Sequence, residues 1–135
     1  MLKYEMPTIS GEGKMITIGN HLKMHLPHSL REKARQFYVD ILGCKKLTGQ
    51  PYADLDLYEF RGGFVLGLFF SVDVLSETDH LLATWMGIKT DDPEALKEKL
   101  LEFGVREVEF EDTSRFYFQA PGGQVFRLAP MDGGL

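Results

Sequence analysis

One cysteine, Cys44, is all that 135 residues contain, so no intramolecular disulfide can form, and no Cys/His grouping has the spacing of a zinc site. That poverty suits a reducing compartment, and a cytoplasmic location is the expectation. Also missing is any apolar run near the roughly 20 residues that a membrane span needs, and residues 1–7 lack the apolar core of a signal peptide. No membrane partner is expected. A basic stripe is absent too: 15 Lys and Arg stand against 20 Asp and Glu, for a net charge of −5, and the cations are scattered. This argues against a nucleic-acid backbone as partner and leaves a small molecule or another protein. What the chain does have is 44% apolar residues, enough for one domain of ordinary size to bury a core unaided.

Residues 1–14 mix Pro, Gly, Ser and charge without periodicity and read as a loose arm, leaving residues 15–135 as a single domain. The run His21-Leu22-Lys23-Met24-His25-Leu26 alternates with period two, predicting a strand with Leu22, Met24 and Leu26 on a packed face and His21, Lys23 and His25 on the other. A capping box, Ser29-Leu30-Arg31-Glu32, then opens a helix whose apolar stripe is Ala34, Phe37, Tyr38, Ile41 and Leu42, with Gly43 as its stop. A short strand over 44–47 follows. Two more strands, over 55–60 and 64–70, are joined as a hairpin across Arg61-Gly62-Gly63. Module one thus spans about 15–70, and a connector covers 71–83.

Module two, about 84–130, repeats this order. Residues 85–90 form its first strand, Asp92 and Pro93 start a helix with Leu96, Leu100 and Phe103 on its inner side, and Gly104 ends it. Strands over 105–108, 114–119 and 124–129 follow, with Pro121-Gly122-Gly123 as the turn. From helix-stopping glycine to the first turn glycine is 19 residues in one half (Gly43 to Gly62) and 18 in the other (Gly104 to Gly122). Each half is too small to hold much core alone, so the halves are expected to pack together or to exchange with an identical chain. Exposed sheet edges make a homodimer the expectation.

The residues Ala34-Arg35-Gln36-Phe37-Tyr38-Val39-Asp40-Ile41-Leu42-Gly43 resemble the first helix of the vicinal oxygen chelate superfamily, which includes glyoxalase I, extradiol dioxygenases, fosfomycin-resistance enzymes and bleomycin-binding proteins. The run from Phe116 to Leu128, through Pro121-Gly122-Gly123, resembles its final hairpin. Together with the internal repeat, the resemblance covers about residues 18–130. It implies an α+β fold in which two βαβββ modules form a cupped mixed sheet holding the ligand in its concave side.

Metal-dependent members of that superfamily place ligands on the first and last strand of each module, and the resemblance puts His21, Gly67, Trp85 and Arg127 in those four positions. Only His21 can ligate through its side chain: glycine has none, indole N–H is a donor only, and a guanidinium is a permanent cation. A metal site needs three or four convergent ligands, so no cofactor is expected. His21 and His25 share a strand face, but four residues at ~3.3 Å each separate their backbones by about 13 Å, too far to share an ion. His28, beyond Pro27, and His80, in the connector, have no spacing that directs them to the same place.

The pocket residues expected from these positions are His21, His25, Gly67, Phe69, Trp85, Lys89 and Arg127. Trp85 offers a face for stacking, Phe69 an aromatic wall, Gly67 room, and Arg127 an anchor for a carboxylate or phosphate. The first functional reading is therefore a glyoxalase-like, metal-free protein that binds a small anionic or polar aromatic molecule. The second is a lyase, isomerase or dioxygenase with a displaced divalent metal or with His21 or Glu59 as base. The third is a protein–protein interaction module. Fold alone does not choose among them.

Overall fold

The structure, a computed structural model, describes residues 8–9 and 14–134. Most of the expected arm lies outside the described residues. Within it, strand β1 (Thr8–Ile9) pairs antiparallel with β2 (Lys14–Met15).

The first module begins with β3 (His21–Leu26), where the period-two pattern does what it should. Met24 and Leu26 are buried and Leu22 half-buried, while His21, Lys23 and His25 are exposed. The expected capping box at Ser29 does not form. Pro27 instead starts a single 3₁₀ turn (His28–Leu30), with no side-chain cap on it or on helix α1 (Arg31–Arg35) that follows. Pro27 fixes an extended backbone, φ −63° and ψ 145°, so the turn is set by the chain and not by a serine hydroxyl. Helix α1 continues as a π-helical segment (Gln36–Ile41), in which Leu42 N–H reaches back to the Phe37 carbonyl at 3.0 Å. Phe37 and Tyr38, both on the expected apolar stripe, bury completely. Gly43, at φ +76°, ends the helix.

Strands β4 (Lys45–Lys46), β5 (Leu55–Glu59) and β6 (Val65–Phe70) complete a four-stranded mixed sheet in the order β3-β6-β5-β4, with β3 parallel to β6 and the other pairs antiparallel. After a connector carrying the short helix α2 (Glu77–His80), the second module repeats the plan. It comprises β7 (Met86–Thr90), α3 (Pro93–Phe103), β8 (Arg106–Glu107), β9 (Phe116–Gln119) and β10 (Val125–Pro130), in the sheet order β7-β10-β9-β8. Asp92 caps α3 as expected, accepting the Ala95 N–H at 3.1 Å, and Gly104 stops it at φ +102°. Helix α2 was not expected from the sequence, although its start carries a capping box between Ser76 and Asp79. Among the described residues no ladder joins the two sheets, so the fold is two four-stranded mixed sheets and not one continuous one.

The repeat is confirmed in the register. Phe60 N–H bonds the Phe64 carbonyl, and Ala120 N–H the Gln124 carbonyl, both at 2.8 Å, so the two hairpin turns superpose residue for residue. Val65, Gly67 and Phe69 thus correspond to Val125, Arg127 and Ala129. Lys23, the partner of Gly67, corresponds to Gly87, the partner of Arg127. One step earlier on each first strand, His21 corresponds to Trp85.

The helix-bearing faces of both sheets meet in a single core. Phe37 contacts Phe103 (5.8 Å between ring centres) and Phe118 (6.2 Å), and Tyr38 contacts Tyr58 (5.3 Å) and Phe126 (6.4 Å), so the first helix is anchored on both modules. Each fully buried aromatic contributes about 1.5–3 kcal/mol, which explains why neither half needs to stand alone. On the same face the buried Asp56 is held by Arg31 through two bonds (2.7 and 3.2 Å), by Lys46 at 3.7 Å and by the Tyr58 hydroxyl at 3.3 Å. Cys44 is buried, and burial pushes its thiol up to about 12. Among the described residues no helix is long and apolar enough to cross a membrane.

Candidate functional site

The sheet faces turned away from the helices carry every residue singled out from the sequence, and the structure sorts them into two groups. On the first sheet, His21, Val65, Glu59 and Lys45 form one cross-strand row. With neighbouring strands ~4.8 Å apart, His21 and Glu59 have backbones about 10 Å apart with Val65 between them. Glu59 lies opposite Lys45, an ordinary pairing of unlike charges across a ladder. The next row holds Lys23, Gly67 and Leu57. The space expected over Gly67 is taken: a Cβ there would lie 3.2 Å from Leu57 Cδ2 and 3.6 Å from Leu55 Cδ1.

The third row centres on Phe69. His25 stacks on it with 6.0 Å between ring centres, Tyr52 approaches it at 6.0 Å, and the Lys23 ammonium sits 4.9 Å from its centre. His25 Nδ1 pairs with Ser71 Oγ at 3.1 Å. Phe69 is therefore a half-buried ring already covered by its own neighbours. A cleft of about 550 Å³ runs beside β3, bounded by Lys23, His25, His80, Thr84 and Gln124 among others.

On the second sheet, Arg127 lies between Gly87 and Tyr117 in register. Trp85, half-buried, packs on Tyr117 (5.6 Å) and Phe110 (5.1 Å), and Phe110 packs on Tyr117 (5.1 Å), making a three-ring cluster whose Tyr117 is the cross-strand partner of Arg127. The Trp85 indole N–H donates to the Leu81 carbonyl at 3.1 Å, which fixes the ring to the end of α2. A side chain at Gly87 would meet nothing within 4 Å, so the side of Arg127 toward β7 is open. Lys89 is exposed two residues on.

Arg127 is sparsely satisfied. Among the described residues its one hydrogen bond is a long one, 3.4 Å to the Gly134 carbonyl. Asp112 lies within electrostatic reach, but its oxygens are already used: one accepts from the Ser114 N–H and hydroxyl, the other from the Tyr117 hydroxyl at 3.3 Å. Those bonds, the Ser114 hydroxyl first, hold the Asp112 carboxyl below its usual range, with Arg127 a minor contributor. Another cleft, about 690 Å³, is lined in part by Phe110, Asp112 and Tyr117 and by none of the expected pocket residues. Its rim carries the exposed carboxylates of Asp92 and Glu94 at a helix start, Glu107 on β8 and Glu109 in the loop after it.

Among the described residues no hydrogen bond, ion pair or ring contact joins the His21 group to the Trp85 group. Nor do three His, Cys, Asp or Glu side chains gather anywhere as a metal would need. The four family metal positions do not fit an ion in this chain. Leucines fill the space at Gly67, the Trp85 N–H is spent on a carbonyl, and Arg127 places a fixed cation where the ion would sit. Tyr117, Phe110 and Asp112 were not foreseen. Tyr117 could have been found by counting outward from the Pro121-Gly122-Gly123 turn, which pairs it with Arg127. Phe110 lies in an irregular segment with no periodic signal.

No family model and no curated protein matches the chain. Solved structures do. An antibiotic binding protein, TnmS3 from Streptomyces sp. CB03234, is 22% identical, with 85% of this chain and 96% of that one covered and a TM-score of 0.61. A glyoxalase/bleomycin resistance protein from the same source is 27% identical, covering 82% and 98%, at a TM-score of 0.53. The fosfomycin resistance protein FosX from Mesorhizobium loti is 12% identical, covering 84% and 91%, at 0.65.

Proposed function

We propose that this chain, which has the fold of the vicinal oxygen chelate superfamily, is a binding protein that holds a small planar ligand bearing an anionic group on the outer face of its second module. The observation that carries the reading is the three-ring cluster of Trp85, Phe110 and Tyr117, whose Tyr117 is the cross-strand partner of Arg127, a guanidinium that among the described residues makes one long hydrogen bond. A carboxylate or phosphate gains paired, charge-assisted bonds from Arg127, and the adjoining ring stacks on Trp85, worth about 0.5–1.5 kcal/mol beyond area burial. Gly87 leaves the approach clear. That one similar structure is an antibiotic binding protein supports binding over catalysis.

The reading includes a homodimer. Among the described residues β3 pairs only with β6 and β7 only with β10, so the first strand of each module keeps a free edge. Light scattering at micromolar concentration is expected to give about twice the 15.4 kDa chain mass.

The ligand test is a thermal-shift and fluorescence-quenching screen of anionic, cationic and aliphatic compounds. Anionic aromatic compounds are expected to stabilise the protein most and to quench Trp85. Arg127→Glu is expected to weaken them by about 1.5–3 kcal/mol with the fold intact. If cationic or aliphatic compounds stabilise best, or if the variant unfolds with no change in ligand response, Arg127 is a structural residue and the reading is wrong.

A further inference from the structure

The connector between the modules is strapped to the second module at several points. Gln119 Nε2 donates to the Glu77 carbonyl (2.8 Å), Gln124 Nε2 to the Thr84 carbonyl (2.7 Å), and Trp85 Nε1 to the Leu81 carbonyl (3.1 Å). Arg106 reaches Glu77 at 3.9 Å. Within the strap, His80 is only 6% exposed, and its Nε2 is buried with no hydrogen-bond partner among the described residues. The ring lies against the hairpin turn so closely that a Cβ on Gly123 would come within 2.7 Å of its Cδ2. A neutral imidazole fills that space as an apolar plug. An imidazolium there would be a buried charge with nothing to accept its second proton, which costs far more than α2, a single turn of helix, can supply on its own.

We propose that His80 is a protonation-sensitive pin: neutral, it docks α2 on the Gly123 turn and so fixes Leu81 and the Trp85 ring bonded to it; protonated, it frees both. The link to ligand binding rests on the role proposed for Trp85, but the pin itself does not need a ligand.

Burial lowers the His80 pKa from its ordinary 6.5, with Asp79 and Glu77 on its own helix opposing more weakly. Around the adjoining cleft stand Lys23 and His25 from β3 and Asp73 from the connector, and Arg106 approaches from β8 through Glu77. The hairpin packed on the ring presents only the uncharged Gln119 and Gln124. The sign follows. A released histidine takes its proton near 6.5, the docked one only at lower pH, so docking is at full strength above about 6.5 and weakens as pH falls below it.

Trp85 is the sole tryptophan, so its emission reports the strap directly. On titrating the full chain from about pH 8 to 5, the wild-type emission maximum is expected to move to the red in one single-proton step about two pH units wide, with the far-UV circular dichroism unchanged. His80→Phe keeps a ring in the socket and cannot titrate, so its emission is expected to stay flat. His80→Gln, neutral and polar, serves the same purpose if the phenylalanine does not fit. No step in the wild type, the same step in both His80 variants, or loss of the step in His25→Gln alone would each overturn the proposal. If the step is found while no anionic aromatic compound binds, the ligand reading fails and the pin stands.

Discussion

The strap's dependence on the second hairpin turn can be measured with a matched pair of substitutions, Gly63→Ala and Gly123→Ala. The two glycines hold corresponding places in identical turns, at φ +96° and +112°, so an alanine strains the backbone similarly in both, by about 1–2 kcal/mol. Their surroundings differ. A Cβ on Gly63 meets nothing within 4 Å, whereas on Gly123 it lies 2.7 Å from His80 Cδ2 and 3.1 Å from the Glu77 Cα. The second contact is backbone, so α2 itself has to move, and overpacking of this kind costs about 1–3 kcal/mol. Subtracting one variant from the other cancels the backbone strain and leaves that packing cost. For a chain of this length it corresponds to a melting temperature roughly 3–12 °C lower for Gly123→Ala than for Gly63→Ala. Thermal unfolding followed by far-UV circular dichroism reads the difference, and Trp85 emission at neutral pH should be red-shifted in Gly123→Ala alone. If the two variants melt within about 1 °C of each other, α2 does not bear on the turn and the strap contributes nothing to stability.

Asp56→Ala is expected to destabilise by about 2–4 kcal/mol, because it leaves Arg31, Lys46 and the Tyr58 hydroxyl without their shared acceptor, and urea unfolding will show it as a lower midpoint at unchanged slope. Cys44, its thiol pushed up to about 12 by burial, should resist a thiol reagent at pH 8 in the native state and react fully in guanidinium; rapid native labelling would contradict its placement. Zinc, nickel or manganese added to chelator-washed protein should leave the melting temperature unchanged, and a saturable rise with any of them would mean a metal site built from residues other than the four family positions.

Much of the fold was legible because most of it rests on local signals. The alternation from His21 to Leu26, the Asp92-Pro93 start and the glycine stops at 43 and 104 each dictate their element with little help from elsewhere. Where tertiary packing decides, the reading failed. Ser29 had the sequence of a cap, but Pro27 had already set the turn, and nothing in a one-dimensional pattern marks the π-helical segment over Gln36–Ile41, although Phe37 and Tyr38 bury as their stripe predicts. Helix α2 was hidden by its length: four residues cannot show a period of 3.6. The surroundings of the expected site residues were the less legible part. Arg127 and Trp85 do share a face, but the rings that complete the cluster came from a strand partner and from an irregular loop.

The internal repeat also explains why the two modules are not equivalent as binding faces. At the position shared by Gly67 and Arg127, the first module has a glycine beneath Leu57 and Leu55, while the second has a guanidinium beside Tyr117, which takes the place of Leu57. At the position shared by Lys23 and Gly87 the exchange runs the other way: the first module lays an ammonium over Phe69, and the second leaves a gap. The first face has thus laid its cation over its own ring and filled the space at Gly67 with leucine, so these two positions are already occupied. The second face keeps an under-bonded cation, an open approach and a stacking ring on the same side of one sheet. Binding energy is available only where groups remain to be satisfied, and that difference is why the proposed ligand is assigned to the second of two faces built to one plan.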